Sequence, residues 1–332
     1  MTSPSDLLHH YSLRRILFFF VMFFFGIFCF WLKELDVLRT DVRLLPICYP
    51  GYVASKAAAL ISNYSRDHPI FLQMSDFFWV KNQSYYNLPY GTNGSEDVIM
   101  KFLAFANQNH FPPEIERLPC KRCVVVGNGF RLKNSSLGDV IDKYDIVIRL
   151  NNAPINKYQR DIGSKTTMRF FYPESSNFNP HFDTNPNSLL VLVPFKSQDL
   201  RWMKIIINDE KRGGKDFRFM PRVVWTLGSQ NIRVLNPYFM EVAATRMLNH
   251  NQTEIKSKPT TGFLAITFAL HFCDLVHVAG FGYPTSVNDT EPLHYYSSET
   301  LKSMDPAHDT LQEGEILKMF MQHQVIQNLT RV

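Results

Sequence analysis

His294 and His308, near the carboxyl end of the chain, have the side chain best suited to proton transfer. His294 begins the run His-Tyr-Tyr, and His308 is followed by Glu313 in the spacing His-x4-Glu. Imidazole titrates near neutral pH, so it can accept or donate a proton there. A helix predicted over 311–323 places His308 in a loop that faces solvent or a cleft. A histidine beside tyrosine is also a common hydrogen-bonded structural residue, and the spacing leaves both roles open.

Two asparagines stand directly after predicted strands. The apolar run 124–126 stops at Gly127-Asn128-Gly129, and the strand 145–150 ends on Asn151. Open α/β sheets bind ligands at the carboxyl ends of their strands, so both asparagines should face one crevice. Their amides offer the donors and acceptors that ribose hydroxyls, phosphate oxygens and a pyrimidine edge require. The turn alone is weak evidence, because Leu132 replaces the third glycine of a dinucleotide fingerprint.

A third polar turn, Thr260-Thr261-Gly262, opens a predicted helix. Apolar residues at positions 263, 266, 270 and 273 predict one buried face, and a strand over 275–279 then breaks at Gly280-Phe281-Gly282. Backbone N–H groups at a helix start favour an anion such as phosphate. Every helix needs a cap, however, so a purely structural role stays open.

The elements that must position these residues alternate between strand and helix from residue 123 onward. Further strands are predicted over 166–172, 188–193 and 232–235, and further helices over 137–143, 198–208 and 236–248. The alternation predicts an α/β fold with a mostly parallel, Rossmann-like sheet flanked by helices. Residues 51–119 predict irregular structure with one helix over 96–105, and their scattered aromatic side chains either wrap the core or line a sugar site.

The amino-terminal segment predicts a membrane anchor. Residues 16–32 contain no charge, follow Arg14-Arg15 and precede Lys33, without a small-residue cleavage site. The positive-inside rule then predicts a type II topology: a cytoplasmic tail (1–15), a transmembrane signal-anchor (16–32), a short stem (33–45) and a lumenal domain (46–332). The chain has 35 Lys and Arg against 30 Asp and Glu, without a basic run, which disfavours nucleic acid as a partner.

Cysteine and sequon patterns agree with a lumenal environment. Outside the predicted span, four cysteines allow three disulfide connectivities: Cys48, Cys120, Cys123 and Cys273. A redox pair at Cys120 and Cys123, or a zinc site that adds Cys273 and His277, competes with disulfides. N-x-S/T sequons, which predict glycosylation, occur at Asn63, Asn82, Asn93, Asn134, Asn251, Asn288 and Asn328.

Taken together, four segments resemble the motifs of animal sialyltransferases. Residues 123–170 resemble the long motif of that family, 259–283 the short motif, His294-Tyr295-Tyr296 the third motif, and His308 with Glu313 the very short motif. Flanking text such as LNNAP and GSKTTMRFFYPES is similar to the β-galactoside α-2,3 branch, closest to the type that acts on N-acetyllactosamine ends. Ser297 departs from the acid or aromatic residue that often follows the third motif.

The resemblance implies a variant GT-A glycosyltransferase fold and roles for individual residues. The nucleotide-binding positions, which would hold CMP-sialic acid, are Asn128, Asn151, Thr260, Thr261, Gly262 and Gly282. His294 would stabilise the departing phosphate, and His308 would be the general base that deprotonates the 3-hydroxyl of terminal galactose. It also implies disulfides between Cys123 and Cys273 and between Cys48 and Cys120.

The implied activity is inverting transfer of sialic acid from CMP-N-acetylneuraminate to β-galactose on glycoproteins and glycolipids, at the Golgi membrane. We expect neither a cofactor nor a metal, since no Asp-x-Asp pair occurs in the sequence. Three alternatives stay open: an inactive lumenal protein that binds glycans or nucleotides, a sialyltransferase of different linkage, and a dinucleotide oxidoreductase. The last is disfavoured by Leu132 and by the predicted anchor.

Overall fold

A computed structural model of the chain describes residues 20, 22–28, 46–78, 84–106, 110–176, 183, 185, 187–210, 228–250, 257–282, 290–303 and 308–330. The chain divides into two units, Met1–Pro46 and Ile47–Val332. In the first unit, residues 22–28 are helical. Within the described ranges, no helix has both the length and the apolar character needed to cross a bilayer. The span predicted over 16–32 lies largely outside those ranges.

The second unit is built on one parallel sheet. Its strands are β1 (Arg122–Val126), β2 (Ile146–Leu150), β3 (Met168–Phe171), β4 (Leu189–Leu192), β5 (Ile232–Val234), β6 (Leu275–Ala279) and β7 (Gln327–Asn328). The order is β5-β4-β3-β2-β1-β6-β7, with every neighbouring pair parallel. The predicted parallel α/β sheet is confirmed, whereas β7 has no counterpart among the predicted strands. The chain direction across the sheet reverses at β1, where α/β sheets open a binding crevice.

Helices cover both faces of the sheet. They are α1 (Tyr52–Ala58), α2 (Ser75–Phe78), α3 (Glu96–Leu103), α4 (Pro113–Glu116), α5 (Gly138–Ile141), α6 (Gln159–Ile162), α7 (Ser197–Ile207), α8 (Tyr238–Glu241), α9 (Thr261–Phe272) and α10 (Thr310–Gln322). Successive strand residues face opposite sides. Phe170 therefore packs in the cluster that contains α1 and α9, whereas Phe171 packs in the cluster that contains α3 and α7.

Helix α9 corrects the prediction of a single buried face. Its residues from Phe263 to His271 are all buried, as is Thr261. The helix packs on β1, β2, β3 and β6 and also against α1 and α8. Because other elements surround it, the residues between the predicted apolar positions, such as Leu264 and Phe268, are buried too.

The described part of 51–119 holds four helices. The helix predicted over 96–105 is present as α3, but the prediction of irregular structure around it was wrong. Helix α1 buries only Val53 and Ala57, four residues apart, which is too short a periodic stripe to recognise. The predicted helix over 236–248 is present, but beyond α8 it continues as a π-helix, Val242–Met247. There Leu248 donates its N–H to the carbonyl oxygen of Ala243, five residues back.

Both disulfides implied by the family resemblance are confirmed. Cys48 is bonded to Cys120 and Cys123 to Cys273. Because Cys120 and Cys123 belong to separate bridges, the alternatives of a redox pair and a zinc site are wrong. The Cys123–Cys273 bridge joins the start of β1 to the residue after α9, at the amino ends of the strands.

Candidate active site

The glycine turns after β1 and β6 form one side of a crevice. Gly127 donates its N–H to the carbonyl oxygen of Ala279 at 2.7 Å, and Gly129 donates to that of Gly280 at 3.0 Å. A Cβ atom on Gly127 or on Gly129 would lie 2.5 Å from the Gly280 oxygen. Gly280 itself has φ +71°. Glycine is therefore required where these two turns meet.

Asn128 lies between Gly127 and Gly129, and its side-chain oxygen is available to accept a hydrogen bond. Its Nδ2 donates to the hydroxyl of Tyr296 at 3.4 Å, and its backbone oxygen accepts from the N–H of Tyr295 at 3.0 Å. Among the described residues, its buried Oδ1 has no hydrogen-bond partner. A buried acceptor without a partner is costly, so this atom is suited to accept a hydrogen bond from a ligand.

Asn151, at the end of β2, is held by its backbone and its side chain. It adopts a left-handed conformation with φ 50°, which asparagine tolerates better than most residues. Its N–H donates to the carbonyl oxygen of Phe170 at 2.7 Å, and its own carbonyl accepts from the buried Arg169 at 2.8 Å. The Ser175 hydroxyl lies 3.0 Å from its Oδ1. Three hydrogen bonds therefore hold the backbone and the amide oxygen of Asn151, which lines the crevice.

The turn that opens α9 is anchored by an acid on another helix. Thr260 caps α9 by accepting from the N–H of Phe263 at 3.1 Å. The carboxylate of Glu313, in α10, accepts from the Thr260 N–H at 2.6 Å and from its hydroxyl at 2.7 Å. Burial raises the pKa of Glu313 to about 7, although these hydrogen bonds act to lower it. Thr261 and Gly262 line the crevice, and N–H groups in the first turn of an α-helix have no partner within the helix.

His308 lines the same cavity as the glycine turns and has a defined tautomer. Its Nδ1 is 2.7 Å from the carbonyl oxygen of Lys258. A carbonyl oxygen can only accept, so Nδ1 carries the proton and Nε2 of the neutral ring holds the lone pair. Asp309 then caps α10 by accepting from the N–H of Gln312 at 3.0 Å.

His294 is held against the turn after β1. It forms an antiparallel bridge with Gly129, and its ring stacks on Tyr296 with the centroids 5.2 Å apart. Ser297, which departs from the family pattern, places its hydroxyl 3.5 Å from Nδ1 of His294. Burial lowers the pKa of His294, so its ring is neutral at pH 7.

All eight residues predicted to bind or react line one cavity of about 620 Å³. They are Asn128, Asn151, Thr260, Thr261, Gly262, Gly282, His294 and His308. The volume lies in the range of small-molecule sites. The structure therefore brings together side chains from both halves of the sheet, although the role of each remains a prediction.

Five further polar or aromatic lining residues were missed by the sequence analysis. Tyr172 and Glu174 follow β3, Phe195 and Lys196 follow β4, and Lys258 precedes α9. The ammonium of Lys196 pairs with the carboxylate of Glu174. The rule that identified the ends of β1 and β2 applies equally to β3 and β4 and could have found the first four.

The aromatic residues that were candidates for a sugar site do not line the cavity within the described part of the chain. Tyr85 is highly exposed, and the hydroxyl of Tyr90 is buried. Trp79 lies outside the described residues. Among the predicted sequons, Asn63, Asn93 and Asn134 are exposed, Asn328 is half-buried, and Asn82, Asn251 and Asn288 lie outside the described residues.

Comparison with known proteins identifies the family. The sequence profile described as glycosyltransferase family 29 (sialyltransferase) matches residues 71–325. The chain belongs to this family. A human relative of this sialyltransferase, CMP-N-acetylneuraminate-beta-galactosamide-alpha-2,3-sialyltransferase 4, is 53% identical over 287 residues, 85% of this chain and 86% of the relative. A mouse relative, CMP-N-acetylneuraminate-beta-1,4-galactoside alpha-2,3-sialyltransferase, is 37% identical over 291 residues, 85% and 77% of the two chains.

Solved structures of mammalian sialyltransferases share the fold of this family member. One, in complex with Gal-beta-1-3GalNAc-ortho-nitrophenol, has a TM-score of 0.66 at 24% identity and covers 87% of this chain and 99% of its own. A second has a TM-score of 0.67 at 23% identity, with coverages of 87% and 100%. At these identities the likeness establishes the fold alone.

Proposed function

We propose that this sialyltransferase transfers N-acetylneuraminate from CMP-N-acetylneuraminate to the 3-hydroxyl of terminal β-galactose, on glycoproteins and glycolipids. Family membership supports the reaction class. The names of the human and mouse relatives, at 53% and 37% identity, support the α-2,3 linkage and the galactoside acceptor.

The carboxyl ends of β1 and β2 would bind the cytidine monophosphate part of the donor. The buried Oδ1 of Asn128 accepts an N–H or O–H of the nucleotide, and the amide of Asn151 contacts the same nucleotide from the next strand end. The Gly280–Gly282 turn lies against them without a side chain at Gly282, so the nucleotide can approach the backbone.

The phosphate would lie between the start of α9 and His294. The N–H groups of Thr261 and Gly262 and the positive end of the α9 dipole favour an anion at this point. The neutral ring of His294 can donate an N–H to the departing phosphate without carrying a charge in the empty site. Leaving-group stabilisation therefore needs no proton transfer to the phosphate, which is already anionic.

His308 would act as the general base. Its Nε2 takes the proton of the galactose 3-hydroxyl while that oxygen bonds to the anomeric carbon of the donor. The bond between this carbon and the phosphate oxygen breaks, and CMP leaves with the electron pair, with inversion. One observation carries this assignment: an imidazole with Nδ1 fixed on Lys258 lines the same cavity as Asn128 and Asn151.

We further propose that the transfer requires neither a metal nor a cofactor. Anionic phosphate can be stabilised by the α9 amides and His294, so the chemistry has no step left for a cation. Within the described ranges, no group of three or more His, Cys, Asp or Glu side chains is arranged to hold a metal ion. Activity in the presence of EDTA tests the requirement directly.

The proposed site of action is the Golgi lumen, with the chain anchored as a single-pass type II protein. Two disulfides indicate an oxidising compartment, and three exposed sequons agree with passage through the secretory pathway. Protease protection of a tagged chain in sealed Golgi vesicles tests this topology. A protease-sensitive carboxyl terminus in intact vesicles contradicts it.

The decisive experiment incubates the full chain with CMP-sialic acid, EDTA and a panel of galactose-terminated acceptors, and maps the new linkage. We expect α-2,3-linked product without added metal. Binding of CMP without any transfer would favour an inactive binding protein, and an α-2,6 product would identify a different linkage. Loss of transfer in EDTA, restored by a divalent cation, would contradict the metal-independent mechanism alone.

A further inference from the structure

The segment after α10 runs alongside the glycine turn of the nucleotide pocket. Strand β7 pairs in parallel with β6, with Asn328 opposite Val278. The next residue, Leu329, donates its N–H to the carbonyl oxygen of Val278 at 2.8 Å. Strand β6 ends at Ala279, and the chain enters the pocket at Gly280, so the residues beyond β7 lie beside this turn.

A hydrogen-bond relay connects this segment to Gly280. The Gly280 N–H donates to the hydroxyl oxygen of Thr330 at 3.2 Å, and that hydroxyl donates to Oδ1 of Asn328 at 2.7 Å. The Thr330 N–H also donates to this Oδ1, at 3.1 Å. Thr330 is only 4% exposed. Since its hydroxyl both accepts and donates, it satisfies a buried N–H that the sheet leaves unpaired.

The opposite side of the same turn contacts the turn that carries Asn128. Gly129 donates to the Gly280 carbonyl oxygen, and the close approach of Gly127 and Gly129 leaves no space for a side chain. The peptide groups of Gly280 are therefore held from both sides: the oxygen by Gly129 and the N–H by Thr330. A shift on the Thr330 side would be transmitted to the wall of the nucleotide site.

We propose that Thr330 and Asn328 are positioning residues that hold the Gly280–Gly282 turn in its nucleotide-binding conformation. Both residues lie beyond residue 325, where the match to the family profile ends. Asn328-Leu329-Thr330 is also a sequon, so the sequence predicts a glycan there. In the structure, the side-chain oxygens of Asn328 and Thr330 are hydrogen-bonded to each other in the relay. The identity of the bound nucleotide rests on the proposed function, but the relay itself does not.

The test replaces Thr330 by Val, which keeps the side-chain shape and removes the hydroxyl. The Gly280 N–H then lacks its acceptor, and we expect the KM for CMP-sialic acid to rise about 5- to 20-fold, with kcat and the acceptor KM nearly unchanged. Thr330→Ser keeps the hydroxyl and should restore the donor KM. A purely structural role would lower the melting temperature without this selective change in KM.

Two controls separate the relay from other effects. Thr267 is fully buried in α9, and its hydroxyl donates to the carbonyl oxygen of Phe263 rather than to the pocket. Thr267→Val should therefore lower thermal stability and leave the donor KM unchanged. Because Thr330→Val also destroys the sequon, the wild-type protein treated with an endoglycosidase that cleaves within the glycan and leaves the Asn328 amide intact reports the effect of losing a glycan.

A Thr330→Val protein with the wild-type donor KM would overturn the relay, as would an equal rise in Thr267→Val or in the deglycosylated wild type. If the wild-type chain transfers no sialic acid, the proposed function fails by itself. In that case the affinity of each variant for CMP, measured by calorimetry, replaces the donor KM in the comparison. Equal affinities of the wild type and Thr330→Val would contradict the positioning role, and a weaker affinity in Thr330→Val would support it.

Discussion

A single hydrogen bond decides which nitrogen of His308 can react. The Lys258 carbonyl accepts from Nδ1, so Nε2 alone can take a proton from an acceptor hydroxyl. The interaction is to the backbone, so the side chain at position 258 can vary without loss of this orientation. The sequence spacing identified the histidine but could not show this partner, which lies fifty residues away along the chain.

Replacement of His308 by alanine should abolish transfer while leaving donor binding intact. Removal of a general base costs about 10²- to 10⁴-fold in rate, and we expect the loss in kcat rather than in CMP affinity. Steady-state kinetics and calorimetry with CMP measure the two quantities. The matched control is His323→Ala, since His323 is exposed at the far end of α10 and should keep full activity. Retention of transfer by His308→Ala would refute the assigned mechanism.

At the scale of elements, the contact between α9 and α10 links the turn proposed to bind phosphate to the histidine proposed as the base. Glu313, on the first turn of α10, binds the residue that caps α9. His308 lies just before α10. The Glu313 carboxyl group therefore fixes the position of His308 relative to the turn that opens α9. The sequence analysis noted Glu313 in the His-x4-Glu motif and Thr260 in the predicted helix cap, but it did not predict the hydrogen bonds between them.

The buried Glu313 should make stability depend on pH. Its folded pKa, about 7, lies above the value of an exposed glutamate, so the fold favours the protonated acid at pH values below about 7. Its contribution is fully present below about pH 4.5 and is lost as the pH rises through about 7. Glu313→Gln mimics the protonated acid at every pH. We expect the melting temperature of the wild type, relative to Glu313→Gln, to fall between pH 5 and pH 7.

Differential scanning fluorimetry of both proteins in matched buffers measures this difference. Asp199 also has a pKa raised to about 7 by burial, but it is present in both proteins and cancels in the comparison. A difference that stays constant across the range would show that Glu313 is ionised in the folded protein.

The Cys123–Cys273 bridge should affect stability more than substrate binding. Cys123 lies four residues before Gly127, about 13 Å along a strand. The glycine turns meet through their own hydrogen bonds at the other end of the sheet. The Cys123→Ala, Cys273→Ala double variant should lose about 2–5 kcal/mol of unfolding free energy, with little change in the donor KM. Urea unfolding and kinetics on one preparation measure both, and a tenfold rise in KM with intact stability would disprove this separation.

Whether an element could be predicted depended on how many of its side chains are both buried and apolar. Strands β2 to β6 lie within predicted ranges because short, mainly apolar segments are typical of buried parallel strands, even though an Arg or a His interrupts each of them except β4. Helix α1 was missed because its buried side consists of two small residues. Strand β7 was missed because Gln327 and Asn328 are polar, and they are held by backbone pairing to β6 rather than by side-chain burial.

For the whole molecule, all the cavity residues belong to the second unit. The lining extends from Gly127 to His308, and both disulfides join residues between 48 and 273. We therefore expect residues 46–332, expressed alone in an oxidising compartment, to keep kcat/KM within about twofold of the full chain. Transfer assays on both proteins test this boundary, and a tenfold loss in the shorter protein would place necessary residues before position 46.

The wide separation of the cavity walls along the chain has a consequence for biosynthesis. The ribosome must release the turn after β1, the cap of α9 and His308 before the cavity lining is complete. Thr330, which holds the Gly280 N–H, is released last. A polypeptide arrested before His308 lacks part of the cavity lining. Retention on a CMP matrix should therefore distinguish completely folded molecules from stalled or misassembled ones. Affinity for CMP would then report that folding is complete.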